Sequence, residues 1–200
     1  MSVRAVLVSL EGDVLDLLDQ IKDIELIGFL DASPSASDAF CPRIGGDDAW
    51  PALAENDPSL RAILAVDPPH LRARLAAFYG LVRVLTVMAP SAMVSRTAKI
   101  GPGSIVQRNV AIGRNSLIGT ACKINCDAKL HHDVVVGNYS TIAPGARLLG
   151  NVRIGDKTYI GSEAVILPRV HVGSSAVVGA GAVVTHNVSD GITVKGVPAR

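Results

Sequence analysis

The chain has 200 residues, enough for one large domain or two small ones, each able to bury a core of its own. Its 19 basic and 18 acidic residues give a formal net charge of +1, and Lys and Arg form no long cluster. This balance argues against nucleic acid or a charged membrane surface as a partner. We therefore expect small molecules or other protein subunits as partners.

The N-terminal stretch "MSVRAVLVSLEGD" contains a short apolar run that ends at Glu11 and Asp13. The run is too short for the core of a signal peptide and far too short to span a bilayer, so we expect a cytoplasmic protein without membrane insertion. Three cysteines, Cys41, Cys122 and Cys126, form no metal-ligand pattern with the histidines. An odd count without a secretory signal predicts reduced thiols.

Residues 1–88 alternate short apolar runs with helical patterns. The patterns predict strands at 3–8, 25–30, 60–66 and 82–87 and helices at 14–21 and 69–79. Residues 31–53 are rich in Ser, Pro, Gly and Asp, which predicts a loop followed by a short helix. This alternation is typical of an α/β unit with a parallel sheet.

From Val94 onward, an aliphatic residue recurs every six positions without an insertion. The small or branched residue two positions earlier faces the same side of an extended segment, so both series fill one narrow interior. Such hexads predict a parallel β-helix. A second rhythm, in which Val134, Val152, Val170 and Val188 are spaced by eighteen, predicts three hexads per triangular coil. The repeated aliphatic positions are Val94, Ile100, Val106, Ile112, Ile118, Ile124, Leu130, Val136, Ile142, Leu148, Ile154, Ile160, Ile166, Val172, Val178 and Val184.

Several outward-facing positions of the coils are more apolar than a surface in water should be, which predicts that other copies of the chain cover them. They are Leu117, Val135, Val165, Val177 and Val183.

The stretch "LHHDVV" places His131 and His132 beside Asp133 in the middle of the hexads. With eighteen residues per coil, His132 lies directly under Gly150, and we expect an open slot for a thin ligand beside the imidazole. One interpretation is that both histidines are merely exposed polar residues at a corner. The other is that His132 is a general base whose tautomer is fixed by Asp133.

The motifs "HDVVVGNYSTIAPGARLLGNVRIG", "IGSEAVILPRVHVG", "VVGAGAVVTHNV" and "VKGVPAR" follow an α/β unit, and the combination resembles the PglD and NeuD group of sugar acetyltransferases. The resemblance covers nearly the whole chain. It implies a Rossmann-like α/β substrate domain at 1–88 and an all-β left-handed parallel β-helix at 89–200 that forms a homotrimer. It also implies acetyl-CoA as the donor, with no metal.

The same resemblance assigns roles to individual residues. His132 matches the catalytic base and Asp133 its acidic partner, whereas His131 is a flanking polar residue. The backbone N–H of Gly150 matches the donor to the developing oxyanion. Coenzyme A would lie between subunits near Gly150 and Ala180, and Lys195 and Arg200 would either bind its phosphates or remain solvated tail charges. Cys122 faces the core and Cys126 lies a third of a coil from His132, so neither suits an acyl-cysteine route.

The sequence departs from this group at two places. Its Gly-rich phosphate loop after the first strand is reduced to Gly12, preceded by Glu11, which would repel a phosphate. Asp31 matches the acidic residue that contacts the nucleotide, although an aspartate at a strand end also commonly begins a turn. Thr141 stands where many members have a histidine near the acetyl group.

Three functional hypotheses follow from these residues and from the resemblance. The first is an acetyl-CoA-dependent N-acetyltransferase that acts on a nucleotide-linked amino sugar for surface glycan synthesis. The second is an O-acetyltransferase of a free sugar such as a sialic acid, which the reduced phosphate loop would suit. The third is a non-enzymatic scaffold or a zinc-dependent hydratase, for which the four histidines of the β-helix lack the expected spacing.

Overall fold

The N-terminal part of the computed structural model, which describes residues 2–200, is a four-stranded parallel sheet flanked by helices. The strand order is β3-β2-β1-β4. The elements are β1 (Val3–Val8), α1 (Gly12–Leu18), β2 (Ile24–Leu30), β3 (Arg43–Gly45), α2 (Trp50–Asn56), β4 (Arg61–Leu64) and α3 (Pro69–Tyr79).

Both faces of this sheet are buried because the apolar residues of β1 alternate between two cores. Ala5 and Leu7 pack with the buried residues of α1. Val6 and Val8 point the other way and pack with Trp50 and with buried residues of α3. This arrangement follows from the period of two along a strand, which sends successive side chains to opposite faces. The predicted strands at β1, β2 and β4 and the helices α1 and α3 are confirmed.

Two predictions for this part were incomplete or wrong. Within the predicted loop at 31–53, the structure forms β3, and the expected short helix follows as α2. The strand predicted at 82–87 does not form, because Leu81–Arg83 is a 3₁₀ turn and Val84 makes only a single bridge to Ala62. Val87 and Met88 instead pair with Ile105 and Val106 of the β-helix, eighteen residues later. The spacing of eighteen residues per coil therefore determines the strand with which Val87 and Met88 pair.

The remainder of the chain is a parallel β-helix of two-residue strands arranged in three sheets of five, six and seven strands. Residue n pairs with residue n plus 18, as Leu130 does with Leu148. The strands are β5 (Val87–Met88), β6 (Met93–Val94), β7 (Lys99–Ile100), β8 (Ile105–Val106), β9 (Ala111–Ile112), β10 (Leu117–Ile118), β11 (Lys123–Ile124), β12 (Lys129–Leu130), β13 (Val135–Val136), β14 (Thr141–Ile142), β15 (Arg147–Leu148), β16 (Arg153–Ile154), β17 (Tyr159–Ile160), β18 (Val165–Ile166), β19 (His171–Val172), β20 (Val177–Val178), β21 (Val183–Val184) and β22 (Thr193–Val194).

The sixteen predicted hexads match the strands β6 to β21 one for one. Every predicted aliphatic position from Val94 to Val184 is the second residue of a strand, and all of them from Val106 onward are buried. The spacing of eighteen fails in the last coil, where Val188 bridges Val172 and Val194 pairs with Val178, each sixteen residues apart. The prediction that Val188 continues the series of Val170 was therefore wrong.

Arg72 of α3 joins the α/β part to the β-helix. Its side chain is buried, and six oxygen atoms lie 2.6–3.1 Å from its guanidinium nitrogens. Burial lowers the pKa of Arg72 to about 10, so the side chain stays charged at neutral pH. The acceptors belong to Val66, Asp67, Ala121, Tyr139, Ser140 and Thr141.

A second buried cation, Lys123 of β11, lies across the same boundary. Its Nζ donates to the carbonyl oxygen of Ala65 at 2.8 Å and forms an ion pair with Oδ1 of Asp67 at 2.9 Å. The carboxyl end of β4 is thereby bound to the β-helix. None of the helices described in residues 2–200 is both long enough and apolar enough to cross a membrane.

Candidate active site

His132 and Asp133 form a hydrogen-bonded pair at a corner of the β-helix between β12 and β13. The imidazole Nδ1 lies 2.8 Å from Oδ2 of Asp133, and 60% of the His132 side chain is exposed. Asp133 has φ of 59°, the left-handed conformation that the second residue of such a corner adopts. The pairing predicted from the sequence is present.

The charge on Asp133 determines the tautomer of His132. Hydrogen bonds from His132 and then from Asn115 hold the pKa of Asp133 below its usual value, so the carboxylate is ionised at neutral pH. An ionised carboxylate only accepts hydrogen bonds, so Nδ1 of His132 carries the proton of the neutral ring. Nε2 then keeps a free lone pair at an exposed corner, which is what a general base requires.

The corner residues one coil apart stack as the sequence predicts. The Asp133 N–H donates to the carbonyl oxygen of Arg114 at 2.8 Å, and the Asn151 N–H donates to that of His132 at 3.1 Å. Gly150 therefore lies over His132. A Cβ on Gly150 would come within 2.7 Å of both Cε1 and Nε2 of the imidazole.

This contact corrects one expectation from the sequence. The slot predicted beside the ring is not open, because the imidazole itself packs against the glycine backbone. A bare Cα is needed to accept the ring at that distance. The backbone N–H of Gly150 donates no hydrogen bond to any acceptor in residues 2–200, although Gly150 itself is buried.

Ser116, in the coil below, fixes the segment that carries the pair. Its hydroxyl donates to the carbonyl oxygen of His131 at 2.9 Å and accepts from the N–H of Val134 at 3.3 Å. Ser116 is fully buried, so its hydroxyl is satisfied by these two groups. His131 itself is exposed at this corner, as expected of a flanking polar residue.

The residues expected to hold the coenzyme lie elsewhere in the same chain. Ala180 follows β20 of the seven-stranded sheet, whereas Gly150 follows β15 of the six-stranded sheet, so they occupy different corners. Lys195 and Arg200 are exposed, and their backbones exchange hydrogen bonds of 3.0 and 3.1 Å. Within one subunit these residues are not brought to His132.

The expected substrate residues Gly12 and Asp31 lie beyond the carboxyl ends of β1 and β2. Gly12 begins α1, and a Cβ there would meet no atom within 4 Å. The Asp31 carboxylate accepts from the N–H groups of Leu10 at 2.9 Å and Ser33 at 2.8 Å, so it shapes both neighbouring loops. A cavity of about 220 Å³ at this edge is lined by Ser9, Asp31, Asp47, Arg74 and apolar residues.

Glu11 directly precedes Gly12. Burial raises the pKa of Glu11, and Lys123 opposes this effect by favouring the charged form. Asp67, Asp13 and Asp31 act with burial to raise the pKa. Glu11 is thus an acidic residue under the influence of the buried Lys123, whose Nζ lies 3.8 Å from Oδ2 of Asp13 in α1.

Comparisons with known proteins fit this architecture. A family model described as bacterial transferase hexapeptide (six repeats) matches residues 116–150 and 151–186. PerB from Caulobacter crescentus, solved with CoA and GDP-perosamine, is 31% identical over 98% of this chain and 95% of that chain, with a TM-score of 0.90. The acetyltransferase domain of PglB from Neisseria gonorrhoeae, solved with acetyl-CoA, is 28% identical over 100% and 99%, with a TM-score of 0.92.

The chain belongs to the hexapeptide-repeat sugar acetyltransferases of the left-handed β-helix type. WeeI from Acinetobacter baumannii is a further match, 27% identical over 100% of this chain and 99% of that chain, with a TM-score of 0.87. The comparison with curated proteins finds no match. The resemblance identified from the sequence motifs is confirmed.

Two contacts of this acetyltransferase go beyond the sequence interpretation. Thr141 is fully buried, and its Oγ1 donates to the carbonyl oxygen of Asp67 at 2.6 Å and accepts from Arg72 at 2.8 Å. It therefore contacts the α/β part of its own chain and lies away from the His132 corner. Asn115, which donates to Oδ1 of Asp133 at 3.1 Å, was missed because it lies one coil away in sequence.

The described residues also bear on the hydratase hypothesis. In residues 2–200 no three His, Cys, Asp or Glu side chains are arranged to hold a metal ion.

Proposed function

We propose that this acetyltransferase transfers the acetyl group of acetyl-CoA to the amine of a nucleotide-linked amino sugar. The observation that carries the proposal is the His132 and Asp133 pair, in which Nδ1 is bound to the carboxylate and the side chain of His132 is 60% exposed. PerB, with 31% identity, was solved with both CoA and GDP-perosamine, which supports this class of donor and acceptor.

The chemistry assigned to His132 is proton removal. The sugar amine attacks the thioester carbonyl carbon, a C–N bond forms, and the nitrogen becomes positively charged. Nε2 of His132 takes the excess proton, while Asp133 stabilises the imidazolium that forms. The C–S bond then breaks, and CoA leaves as a thiolate that takes up a proton. Both substrates must be bound together, so the site supplies orientation as well as the base.

Gly150 supplies the second group in this proposal. The thioester oxygen gains negative charge when the amine attacks, and a backbone N–H without an intramolecular acceptor stabilises it. Packing of the imidazole against the Gly150 backbone keeps base and donor together.

Residues 1–88 are proposed as a Rossmann-like domain that binds the nucleotide. Ligands of open parallel sheets bind outside the carboxyl ends of the strands, where the cavity beside Ser9, Asp31 and Arg74 lies. Arg74 is exposed and forms no ion pair in residues 2–200, so its charge is available to a phosphate. It would substitute for the reduced loop at Gly12.

A homotrimer is proposed to complete the coenzyme site. Leu117 in the five-stranded sheet is 45% exposed and Val177 in the seven-stranded sheet is 38% exposed, so two faces of the β-helix carry apolar residues that neighbouring copies would cover. Because Ala180, Lys195 and Arg200 do not reach His132 in their own chain, a groove between copies would bring residues of different corners together. CoA in this groove would be held by the tail of one subunit beside the histidine of another.

The test offers acetyl-CoA with UDP-, GDP- and dTDP-linked amino sugars and, separately, with free sialic acid, and follows thiol release and product mass. We expect acetylation of an amine on at least one nucleotide sugar, undiminished after exhaustive chelation. If only the free sugar is acetylated, on oxygen, the proposal is overturned in favour of the second hypothesis, an O-acetyltransferase of a free sugar. The loop at Glu11 favours that hypothesis because its charge would repel a phosphate. Dependence on added zinc would favour the hydratase class.

A further inference from the structure

We infer that Asn115 is a positioning residue for the His132 base, acting through Asp133. The inference rests on the proposed function, because it assigns a role to a residue that supports the proposed base. Asn115 Nδ2 donates to Oδ1 of Asp133 at 3.1 Å, while Oδ2 of the same carboxylate faces Nδ1 of His132 at 2.8 Å. The three side chains form one hydrogen-bonded series across two coils.

The backbone holds Asn115 where this bond requires it. Its own N–H donates to Oγ1 of Thr97 at 2.9 Å, one coil further down. Asn115 has φ of 58°, and asparagine tolerates this left-handed conformation better than most residues. The corner therefore presents the amide at a fixed height directly below Asp133.

The carboxylate needs such a support because it is exposed. The Asp133 side chain is 44% exposed, so water competes for its oxygens and its rotamers are otherwise free. With Oδ1 bound to Asn115, the remaining oxygen is directed at His132. A base oriented by a third group is the usual arrangement of a catalytic histidine, and here the orienting carboxylate is itself oriented.

The chain provides a matched control at Asn109, one hexad earlier. Asn109 has φ of 57°, and its N–H donates to a serine hydroxyl, that of Ser91, at 3.3 Å. An aspartate, Asp127, stands one coil above it, as Asp133 does above Asn115, but no hydrogen bond joins the Asn109 and Asp127 side chains, and the residue before Asp127 is Cys126 instead of a histidine. Asn109→Ala therefore carries the same backbone penalty without the link to a base.

The experiment compares steady-state kinetics of Asn115→Ala, Asn109→Ala and wild type with saturating acceptor. We expect Asn115→Ala to lower kcat about 3- to 20-fold, the range for an exposed hydrogen bond to a charged group, with the KM for acetyl-CoA changed less than about twofold. Asn109→Ala should stay within about twofold of wild type in both constants. Asn115→Asp, which keeps the shape but replaces the donor with a repelling carboxylate, should be at least as impaired as Asn115→Ala.

A double variant separates positioning from general stability. In an Asp133→Ala background, Asn115→Ala should cause no further loss of kcat, because the group through which it acts is gone. Equal effects of Asn115→Ala and Asn109→Ala, or additive losses in the Asp133→Ala background, would overturn the inference.

His132→Ala, measured alongside, keeps the two hypotheses distinguishable. If His132→Ala is inactive while Asn115→Ala and Asn109→Ala have the same kcat, only the inference about Asn115 fails. If it retains full activity, the proposed base fails.

Discussion

The imidazole of His132 packs on the backbone of Gly150 so closely that a Cβ on Gly150 would lie 2.7 Å from both Cε1 and Nε2. The glycine is therefore required by the side chain of another residue. Because the imidazole is largely exposed, it can swing away from an added methyl group at little cost in stability. The important consequence is that the imidazole of His132 would leave the position from which it acts as a base.

Gly150→Ala tests this relationship. We expect kcat to fall about 10- to 100-fold, since a displacement on the order of 1 Å of a catalytic group has an effect of this size, while the melting temperature changes little. Enzyme assays and thermal unfolding of the same preparation check both parts. In a His132→Ala background the added methyl group should have no further effect on kcat. Full activity of Gly150→Ala would mean that Nε2 does not act from the observed position.

The β-helix could be predicted from the sequence because its rule is local. One aliphatic residue in six faces the interior, so the strands from Val94 to Val184 can be assigned without any knowledge of the rest of the chain. The spacing of eighteen also placed His132 under Gly150. The spacing of eighteen does not hold in the last coil, which is two residues shorter than the others. Periodicity alone does not reveal which corner is shortened.

Arg72 gives a prediction about stability. The six oxygens around its buried guanidinium belong to both parts of the chain, and removal of the side chain leaves several of them without a donor. Arg72→Met should lower the free energy of unfolding by more than about 3 kcal/mol, the range for loss of a buried hydrogen-bond network.

The matched control is Arg74→Met, on the same helix but exposed, which should change the free energy of unfolding by less than about 0.5 kcal/mol. Chemical denaturation of both variants measures the difference. Similar values for the two arginines would show that Arg72 does not hold the parts together.

The pH dependence of kcat/KM follows from the ionisation of Asp133. Hydrogen bonds from His132 and Asn115 keep the pKa of this carboxyl below its usual value. A group with a lowered pKa loses its charge only at more acidic pH, so Asp133 stays ionised throughout about pH 5 to 8, where histidine titrates. The acid side of the profile should therefore show loss of activity with a single proton. A steeper, two-proton fall in this range would mean that Asp133 titrates together with the base.

The contacts between the two parts of the chain could not be predicted from the sequence. Thr141 and Arg72 are separated by 69 residues, and their hydrogen bond depends on how the parts dock, which no repeat or strand pattern encodes. The amide of Asn115 was missed for a related reason, since its partner lies a full coil away. The pair of His132 and Asp133 was found because its members are adjacent in sequence.

Assembly can be tested at the exposed apolar surface. We expect sedimentation of the wild type to give a trimer at micromolar concentration. Leu117→Asp should weaken it, because a charge would be buried against another subunit. Leu10, which is only partly buried in the α/β core, is no part of this surface, and Leu10→Ala should leave the mass unchanged. A wild-type monomer would remove the groove proposed for CoA.

The last prediction concerns the order of effects at the "LHHDVV" corner. His132→Ala should lower kcat by roughly 10²- to 10⁴-fold, the usual contribution of a positioned general base, with acetyl-CoA affinity nearly unchanged. His131→Ala should do far less, because the main-chain bond of His131 to Ser116 does not involve its side chain. Asp133→Asn should fall between them, since it keeps the shape of the pair but loses the charge that stabilises the imidazolium. Single-turnover and steady-state assays measure this order. A larger loss of kcat in His131→Ala than in His132→Ala would mean that His131, and not His132, is the base.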